Sequence, residues 1–310
     1  MQRFNGYLIA KAHLQGAALA IGNFDGVHLG HVALLERAKF HARELGTRSA
    51  VYTFSPHPSR VLQKTEPPPL ISTEEQKLQS IAHFGVDAAI IEAFTPDLAK
   101  VSADDFILQI LWDALHVKAV VVGANFRFGH KAQGDVGLLQ ALLEPRDVIV
   151  DVVEPITIEG AVCASSTIRA LVAAGDVAQA AKLLGRPYAL SGTVVRGAGR
   201  GRTIGVPSAN LEMQQELVPG VGVYATRVTL NGHKEALLGA TNVGHRPTFG
   251  VDAAIYIETH VLNFTGDVYG QNMSVEFLRK IRDEKKFASA DALKAQIAQD
   301  IAAISLATPD

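Results

Sequence analysis

The sequence predicts an α/β domain with a doubly wound parallel sheet, followed by a mainly antiparallel β-barrel domain that ends in a helix. Up to about residue 185, short apolar strands alternate with helical patterns, which is typical of a parallel sheet covered by helices. From residue 188 to 277 the chain changes to strand-like runs separated by turn residues, which indicates an antiparallel barrel. A chain of 310 residues is also long for one hydrophobic core. We therefore expect one domain at residues 1–185 and another at 186–310.

Apolar runs predict the strands of the first domain. They lie at residues 17–21, 50–54, 88–91, 119–122 and 148–153. The run at 119–122 is apolar without alternation, as expected of a parallel strand buried on both faces. Helices are predicted at residues 32–45, 76–84, 106–116, 166–174 and 177–184. A capping box at Ser72 and Glu75 opens the second of these helices, and Ser102 opens the third.

The second domain begins with strand-like runs and ends with a helix. The runs lie at residues 192–195, 224–230, 235–238, 255–262 and 273–277. Asn231-Gly232 between two of them predicts a hairpin turn. The final helix begins at about Ser289, and its apolar stripe is expected to pack on the barrel. The stripe consists of Leu293, Ile297, Ile301 and Ile304.

Composition limits the class of partner. The chain has 48% hydrophobic and 19% charged residues with a formal net charge of −2, which describes an ordinary globular protein. This charge argues against a general binder of nucleic acid or anionic membranes, because such binding depends on phosphate neutralisation. The single cysteine excludes an internal disulfide, and no stretch of the sequence approaches a signal peptide or a membrane span. We expect a cytoplasmic protein that acts on small molecules, either monomeric or weakly self-associating.

The ten residues from Gly22 to His31 are the strongest functional signal. They connect an apolar strand to a predicted helix through a glycine-bearing turn. The first N–H groups of a helix have no internal partner and the helix dipole favours negative charge there, so such a turn can hold phosphate. Glycines at 22, 26 and 30 let backbone approach a ligand. His28 and His31 are three residues apart, so both can reach one group from a helical turn.

Two other interpretations of this segment exist. Glycine-rich turns between a strand and a helix are common, and two histidines at this spacing could bind zinc. Structural zinc usually needs four ligands, however, and the sequence has one cysteine and no second Cys/His cluster of suitable spacing. The ten residues resemble the H-x-G-H signature of the nucleotidyltransferases, in which Gly30 would allow the two histidines to approach closely. We expect nucleotidyl transfer, in which positioned donors stabilise charge growing on a phosphate.

Two further segments follow predicted strands at their carboxyl ends, where ligands bind in such sheets. Residues 55–58, Ser-Pro-His-Pro, are either a ligand-facing loop or a stiff proline turn. In residues 123–129, Asn125 could contact ribose, phosphate or flavin, and Phe126 or Phe128 could pack on a ring. A loop that plugs the core is the alternative.

A third segment begins a helix at residues 165–169. Its hydroxyls, with Arg169 in the first turn, suit the oxygens of a triphosphate. A plain N-cap would explain Ser165 and Ser166, but it does not explain Arg169.

These four segments, in this order, resemble the FAD synthetase module of the bacterial bifunctional riboflavin kinase/FAD synthetases. Motifs in the second domain extend the resemblance over about residues 5 to 305. They lie at residues 197–202 (Gly-Ala-Gly-Arg-Gly-Arg), 205–210 (Gly-Val-Pro-Ser-Ala-Asn), 241–249, 257–260, 267–270 and 278–287. The resemblance implies a nucleotidyltransferase domain followed by a riboflavin kinase barrel. The barrel would phosphorylate riboflavin with ATP to FMN, and the first domain would transfer AMP from ATP onto FMN, giving FAD and pyrophosphate.

For the first domain, the resemblance implies a role for each motif residue. His28 and His31 would stabilise the transition state at the α-phosphate. Ser165, Ser166 and Arg169 would hold the β- and γ-phosphates. Asn125 would help hold the nucleotide or the flavin phosphate. The loop residues expected to bind ATP or FMN are Gly22, Asn23, Phe24, Asp25 and Gly30.

For the second domain, the resemblance implies that Glu258 is the general base for the riboflavin 5′-hydroxyl and that Ser208 and Asn210 ligate Mg²⁺. The residues expected to bind ATP or riboflavin are Gly197, Gly199, Arg200, Gly201, Arg202 and Arg279. From the sequence alone, Glu258 could instead lie on a solvated face, and residues 197–202 could be a basic hairpin turn without a ligand. The family has threonine at position 208. Serine keeps the hydroxyl that a hard cation needs, so we expect kinase activity to be retained.

Two other functions remain open from the sequence. The protein could be an adenylyltransferase whose β domain only binds flavin or ATP for regulation, which Ser208 alone favours. It could also be a non-catalytic carrier of flavin or nucleotide, against which the intact His28, His31 and Arg169 argue.

Overall fold

The computed structural model describes residues 1–62, 66–197, 205–231, 233, 235–245 and 255–307. The chain forms two compact units, Met1–Ser165 and Ser166–Asp310. The first is an α/β unit and the second contains a closed barrel, so the predicted fold classes are confirmed. The predicted domain limit at residue 185 stays a prediction.

A parallel sheet forms the centre of the first unit. Its strands are β1 (Gln2–Asn5), β2 (Ala18–Ile21), β3 (Ser49–Ser55), β4 (Ala88–Ala93), β5 (Ala119–Gly123) and β6 (Ile149–Val153). Their spatial order is β1-β4-β3-β2-β5-β6, and every neighbouring pair is parallel. The sequence predicted all of them except the edge strand β1, whose residues Gln-Arg-Phe-Asn carry one apolar side chain and therefore no hydrophobic pattern. A short hairpin follows, made of β7 (Thr157–Ile158) and β8 (Ala161–Val162).

The central strands are buried on both faces. On β5, Val121 packs into one apolar layer with Phe24 and Leu35, whereas Val120 and Val122 pack into the layer on the other face. This alternation between two layers explains why the strand reads as a continuous apolar run.

Helices cover both faces of the sheet. They are α1 (Tyr7–Ala10), α2 (Leu29–Glu44), α3 (Pro58–Leu62), α4 (Glu74–His83), α5 (Ala103–Asp105), which continues into a π-helix (Phe106–Ala114), and α6 (Val136–Leu143). Short 3₁₀ turns lie at Leu98–Lys100, His130–Ala132 and Glu144–Arg146. Ser102 caps α5 as predicted.

Two helix starts differ from the prediction. Helix α2 begins at Leu29, three residues early, with His28 as its N-cap. Glycine is a poor helix former and histidine an uncommon cap, so the pattern concealed this first turn. The capping box of α4 is formed by Thr73 and Gln76, one residue beyond the predicted pair. The hydroxyl of Ser72 instead accepts the N–H of Gly26, at 3.2 Å.

Six antiparallel strands close the barrel of the second unit. They are β9 (Tyr188–Val195), β10 (Ala209–Met213), β11 (Gly222–Leu230), β12 (Leu237–His245), β13 (Ile255–Val261) and β14 (Asn272–Arg282). Their order around the barrel is β10-β13-β12-β11-β14-β9. The unit also contains α7 (Ser165–Ala174), α8 (Val177–Leu184) and α9 (Ala290–Ala307). The glycine of the predicted hairpin between β11 and β12 lies outside the described residues.

The predicted apolar stripe of α9 has two parts. Ile301 and Ile304 pack on the barrel with Ala225 and Leu262, as expected. Ile297 and Leu293, one and two turns before Ile301, line a cavity instead.

Two candidate active sites

The first site lies at the carboxyl edge of the parallel sheet, where the loops after β2, β3 and β5 converge. A cavity of about 540 Å³ opens there. Gly22 and Asn23 after β2, Phe54 at the end of β3 and Asn125 after β5 line it. Asn23 and Asn125 are both exposed to solvent.

Aromatic rings form much of the cavity wall. Phe126 and Phe128 stack with centroids 5.3 Å apart and planes inclined by 17°. Phe54 meets Phe94 edge-on at 5.7 Å. Flat walls of this kind suit a planar ring system.

The two histidines stack on each other at the start of α2. Their ring centroids are 3.7 Å apart, and the planes are inclined by 18°. The Nδ1 atom of His28 accepts the backbone N–H of His31 at 3.3 Å. The ring of His31 lies 5.1 Å from that of Phe24. The first turn of the helix therefore holds both imidazoles side by side.

The environment keeps His31 neutral. Burial lowers the pKa of its imidazole well below 6.5, and the nearby His28 and Lys77 lower it further. Its buried Nδ1 has no hydrogen-bond partner within the described part of the chain. Buried polar atoms are normally hydrogen-bonded, so an orphan of this kind is expected where a ligand supplies the partner.

Gly30 gives its neighbours room. A Cβ at this position would lie 3.1 Å from the carbonyl oxygen of Cys163 and 3.1 Å from the ring of His28. The buried thiol of Cys163 in turn accepts the N–H groups of Gly30 and Leu29. A side chain at position 30 would force the ring of His28 or the backbone at Cys163 to shift by a few tenths of an ångström.

Phe24 and Asp25 hold the loop from inside. The buried carboxylate of Asp25 accepts the N–H groups of Ile71 at 3.1 Å and Ser72 at 3.3 Å. Phe24 is fully buried with a φ of 52°, a left-handed conformation that costs about 1–3 kcal/mol for a bulky residue. Their predicted part in binding ATP or FMN stays a prediction, because these contacts explain both residues without a ligand.

Sequence reasoning missed Lys77, which lies beneath the same loop. Its side chain is only 8% exposed. The ammonium donates to Thr53 Oγ1 at 3.2 Å, to the Phe54 carbonyl at 3.1 Å and, more weakly, to the Asn23 carbonyl at 3.5 Å. Burial lowers the pKa of Lys77. A lysine in an amphipathic helix normally marks a solvated face, so the pattern gave no signal.

The serine and arginine segment spans the boundary along the chain between the first unit, which ends at Ser165, and the second, which begins at Ser166. The hydroxyl of Ser165 donates to the carbonyl oxygen of Asp25 at 3.0 Å, which ties it to the histidine loop. Ser166 is exposed and Arg169 is half-buried on α7. The predicted grip of Ser165, Ser166 and Arg169 on phosphates stays a prediction.

The second site is a cavity of about 620 Å³ at one side of the barrel. Ser208, Asn242 and Glu258 line its barrel wall. Glu258 is half-buried in this cavity rather than on an open face, and its Oε1 atom accepts a short hydrogen bond from the hydroxyl of Ser208. Hydroxyl and carboxylate are therefore already in contact.

Asn210 lies beside Glu258 on the neighbouring strand, and the register pairs the two residues directly. A Cβ at Gly197 would lie 2.1 Å from the side-chain nitrogen of Asn210, so any larger residue would displace this amide. The other predicted members of this loop, Gly199, Arg200, Gly201 and Arg202, lie outside the described residues.

Arg279 and Arg282 differ in their positions. Arg279 donates to the Ala303 carbonyl at 2.8 Å and does not line the cavity. Arg282 does line it, and it forms a bidentate ion pair with the buried Asp300, with Nη2 and Oδ2 2.8 Å apart. The guanidinium of Arg282 also lies 5.7 Å from the ring of Phe287. The predicted role of Arg279 in ligand binding stays a prediction.

A second feature that the sequence did not reveal is a chain of polar groups in this cavity. Asn242 Nδ2 donates to the Tyr256 hydroxyl at 2.8 Å, and that hydroxyl donates to Glu284 Oε1 at 3.2 Å. Burial and the nearby Glu284 raise the pKa of Tyr256 to about 12, so the hydroxyl keeps its proton at neutral pH.

No group of three or more His, Cys, Asp or Glu side chains that could hold a metal ion occurs among the residues with described positions. None of the described helices is both long enough and apolar enough to cross a bilayer.

Comparison with known proteins gives matches for both units. A family model described as FAD synthetase matches residues 10–167, and one described as riboflavin kinase matches residues 184–307. Three relatives are named bifunctional riboflavin kinase/FMN adenylyltransferase. They come from Haemophilus influenzae (38% identical, covering 97% of this chain and 97% of the relative), Pseudomonas fluorescens (36%, 100% and 99%) and Escherichia coli K12 (39%, 94% and 93%).

A crystal structure from Streptococcus pneumoniae, described as a macrolide-efflux protein, has a similar fold. It aligns over 98% of this chain and 99% of its own length, with a TM-score of 0.88 and 28% sequence identity.

Proposed function

The chain belongs to the family of bifunctional riboflavin kinase/FMN adenylyltransferases, and we propose from this membership and the two sites which residues carry out each reaction. The protein is an enzyme with both activities. Its C-terminal domain transfers a phosphoryl group from ATP to riboflavin and gives FMN. Its N-terminal domain transfers AMP from a second ATP to FMN and gives FAD and pyrophosphate.

His28 and His31 stabilise the transition state of adenylyl transfer. An oxygen of the FMN phosphate forms a bond to the α-phosphorus of ATP, and the bond from that phosphorus to the leaving pyrophosphate breaks. Negative charge grows on the α-phosphate oxygens during this step. Donors that already point at that charge lower the barrier, and neutral imidazoles at a helix start supply them.

The remaining motif residues of the first domain bind the substrates. Ser165, Ser166 and Arg169 hold the β- and γ-phosphates, since hydroxyls and a guanidinium match phosphate oxygens. Asn125 binds the nucleotide or the flavin phosphate beside the aromatic wall. The FMN phosphate is itself the nucleophile, so no covalent enzyme intermediate is needed.

Glu258 is the general base of the kinase reaction. It takes the proton of the riboflavin 5′-hydroxyl as that oxygen bonds to the γ-phosphorus of ATP, while the bond from the γ-phosphorus to the bridging oxygen breaks and ADP leaves. Ser208 and Asn210 would hold Mg²⁺, because their hydroxyl and amide oxygens next to a carboxylate are the donors that this hard cation prefers. When bound, Mg²⁺ neutralises charge on the phosphates of ATP.

The stacked imidazoles at the start of α2 are the observation that carries the adenylyl-transfer proposal. To test both activities, purified protein is incubated with Mg²⁺, ATP and riboflavin, and riboflavin, FMN and FAD are resolved over time. We expect FMN to appear first and FAD to follow, and chelation of Mg²⁺ to stop FMN formation. Conversion of FMN to FAD without conversion of riboflavin to FMN would refute the kinase assignment, and binding without turnover would indicate a carrier.

A cytoplasmic location and a monomeric or weakly self-associating state are also proposed. The single cysteine and the consumption of ATP in both reactions support the location. Size-exclusion chromatography with light scattering tests the oligomeric state.

A further inference from the structure

The reaction described above gives no role to Asn242, although it stands next to the proposed general base. Asn242 of β12 lies directly opposite Glu258 of β13, and Asn210 of β10 lies opposite Glu258 on the other side. Directly paired residues of antiparallel strands project from the same face, with their Cβ atoms about 4.5–5.5 Å apart. The three side chains therefore form a row across the barrel wall with Glu258 in the middle.

The amide oxygen of Asn242 lacks a partner. It is buried, and among the residues that the structure describes nothing donates a hydrogen bond to it. The amide nitrogen is already used by the Tyr256 hydroxyl, which donates its own proton to Glu284. Since the Tyr256 hydroxyl has already donated its proton, it can only accept a hydrogen bond from Asn242. The amide nitrogen of Asn242 must therefore face Tyr256, and the amide oxygen is left without a partner.

We propose that the amide oxygen of Asn242 accepts a hydrogen bond from a ribityl hydroxyl of riboflavin, beside the 5′-hydroxyl that Glu258 deprotonates. An acceptor needs an O–H or N–H donor. Beside Glu258, ATP presents its γ-phosphate to the reacting hydroxyl, and phosphate oxygens at neutral pH carry no such donor. The sugar-alcohol chain of riboflavin, in contrast, carries several hydroxyls next to the reacting one. The inference rests on the proposed kinase function of this cavity and names one of its substrate-binding residues.

The first test compares Asn242→Ala with the wild type in initial rates of FMN formation. Loss of one hydrogen bond, with a substrate hydroxyl left unpaired, is expected to lower kcat/KM for riboflavin about tenfold. The KM for ATP is expected to change less than twofold. Tyr256→Phe keeps the acceptor and loses only its orienting partner, so it is expected to lower kcat/KM for riboflavin two- to threefold.

A substrate series makes the test specific. Riboflavin analogues that each lack one ribityl hydroxyl other than the 5′-hydroxyl are assayed with both proteins. For the wild type, kcat/KM is expected to be about tenfold lower with the analogue that lacks the partner hydroxyl than with riboflavin. A site that binds a hydroxyl discriminates against a substrate without it. Asn242→Ala is expected to show no further loss on that analogue, since the two changes remove the same contact.

Two controls separate a binding effect from misfolding. Asn272→Ala changes an exposed asparagine of the same barrel that does not line the cavity. Its kcat/KM for riboflavin is expected to equal that of the wild type. FAD formation from supplied FMN is expected to stay within twofold in every variant.

Several outcomes would overturn the inference alone. They are an unchanged kcat/KM for riboflavin in Asn242→Ala, a loss confined to the KM for ATP, or full additivity between the variant and every analogue. Wild-type protein that forms no FMN would overturn the proposed function, and the inference with it.

Discussion

The two proposed sites use different parts of the fold to bring an oxygen nucleophile to a phosphorus atom. In the first unit the backbone does most of the positioning: a helix start orients the imidazoles, and buried side chains such as Asp25 and Lys77 hold the loop from below. In the second unit a row of side chains on paired strands forms the site. The first site should therefore be sensitive to changes outside the cavity, whereas the second should be sensitive mainly at the row itself.

The largest effect is expected for Glu258→Gln. This change keeps size and polarity but removes the base, and a positioned base typically contributes about 10²–10⁴-fold. FMN formation should fall by that factor, while FAD formation from supplied FMN is unchanged, as measured by separate assays. A parallel loss of both activities would mean that the two sites are not independent.

His31→Ala is expected to lower FAD formation by about 10²–10³-fold, the range for loss of one donor to a growing oxyanion. FMN should accumulate when riboflavin and ATP are supplied. His83→Ala, which changes an exposed histidine of the same unit, is the matched control. FAD formation close to the wild-type rate in His31→Ala would remove this residue from the mechanism.

Lys77→Met tests whether the first site depends on its buried support. The change removes the buried ammonium that donates to Thr53 Oγ1 and to the carbonyl oxygen of Phe54, which costs about 1–3 kcal/mol in stability or loop order. We expect about tenfold slower FAD formation with an unchanged kinase rate. Equal rates in Lys77→Met and the wild type would contradict the view that this loop is held from beneath.

Acid should destabilise the first unit through His31. Its pKa is lowered in the folded state, so between pH 6.5 and that lower pKa only the unfolded chain takes up the proton. Stability therefore falls as the pH drops below 6.5, by about 1.4 kcal/mol per pH unit. Urea unfolding followed by the fluorescence of Trp112, the single tryptophan, measures this in the first unit. The free energy of unfolding should depend less on pH in His31→Phe than in the wild type. The same slope of this free energy against pH in both proteins would argue against a buried neutral ring.

The smallest effect is expected for Ser208→Thr. Both residues carry the hydroxyl, and threonine only restricts its rotamer. Kinase kcat/KM for ATP at saturating Mg²⁺ should equal or exceed the wild-type value by up to about threefold. A substantially lower kcat/KM for ATP in Ser208→Thr would show that the site requires serine at this position.

Patterns with a strong local cause were predictable from the sequence. The apolar run of β5 predicted a buried parallel strand because burial on both faces demands it. The strand β1 was missed because its pairing with β4 depends on backbone hydrogen bonds, for which Gln-Arg-Phe-Asn carries no side-chain signal.

The residues of the two sites also differ in whether a local sequence pattern predicted their positions. The H-x-G-H segment contains its residues within one helical turn, so spacing alone brought the two histidines together. Lys77 reaches its site only through the packing of a distant segment, so no local pattern distinguishes it. Asn242 lies in the motif at residues 241–249, but its place beside Glu258 depends on the pairing of β12 with β13. The capping box of α4 was displaced by one residue because Ser72 is recruited by the loop at Gly26.

The contact between Cys163 and the start of α2 has an experimental use. The chain contains one thiol, and it is buried against the N–H groups of Leu29 and Gly30 at the start of α2. The rate of its alkylation therefore reports how often the histidine loop opens, without any added label. Ligands that order this loop should protect the thiol, whereas riboflavin bound at the barrel should leave its labelling rate unaltered.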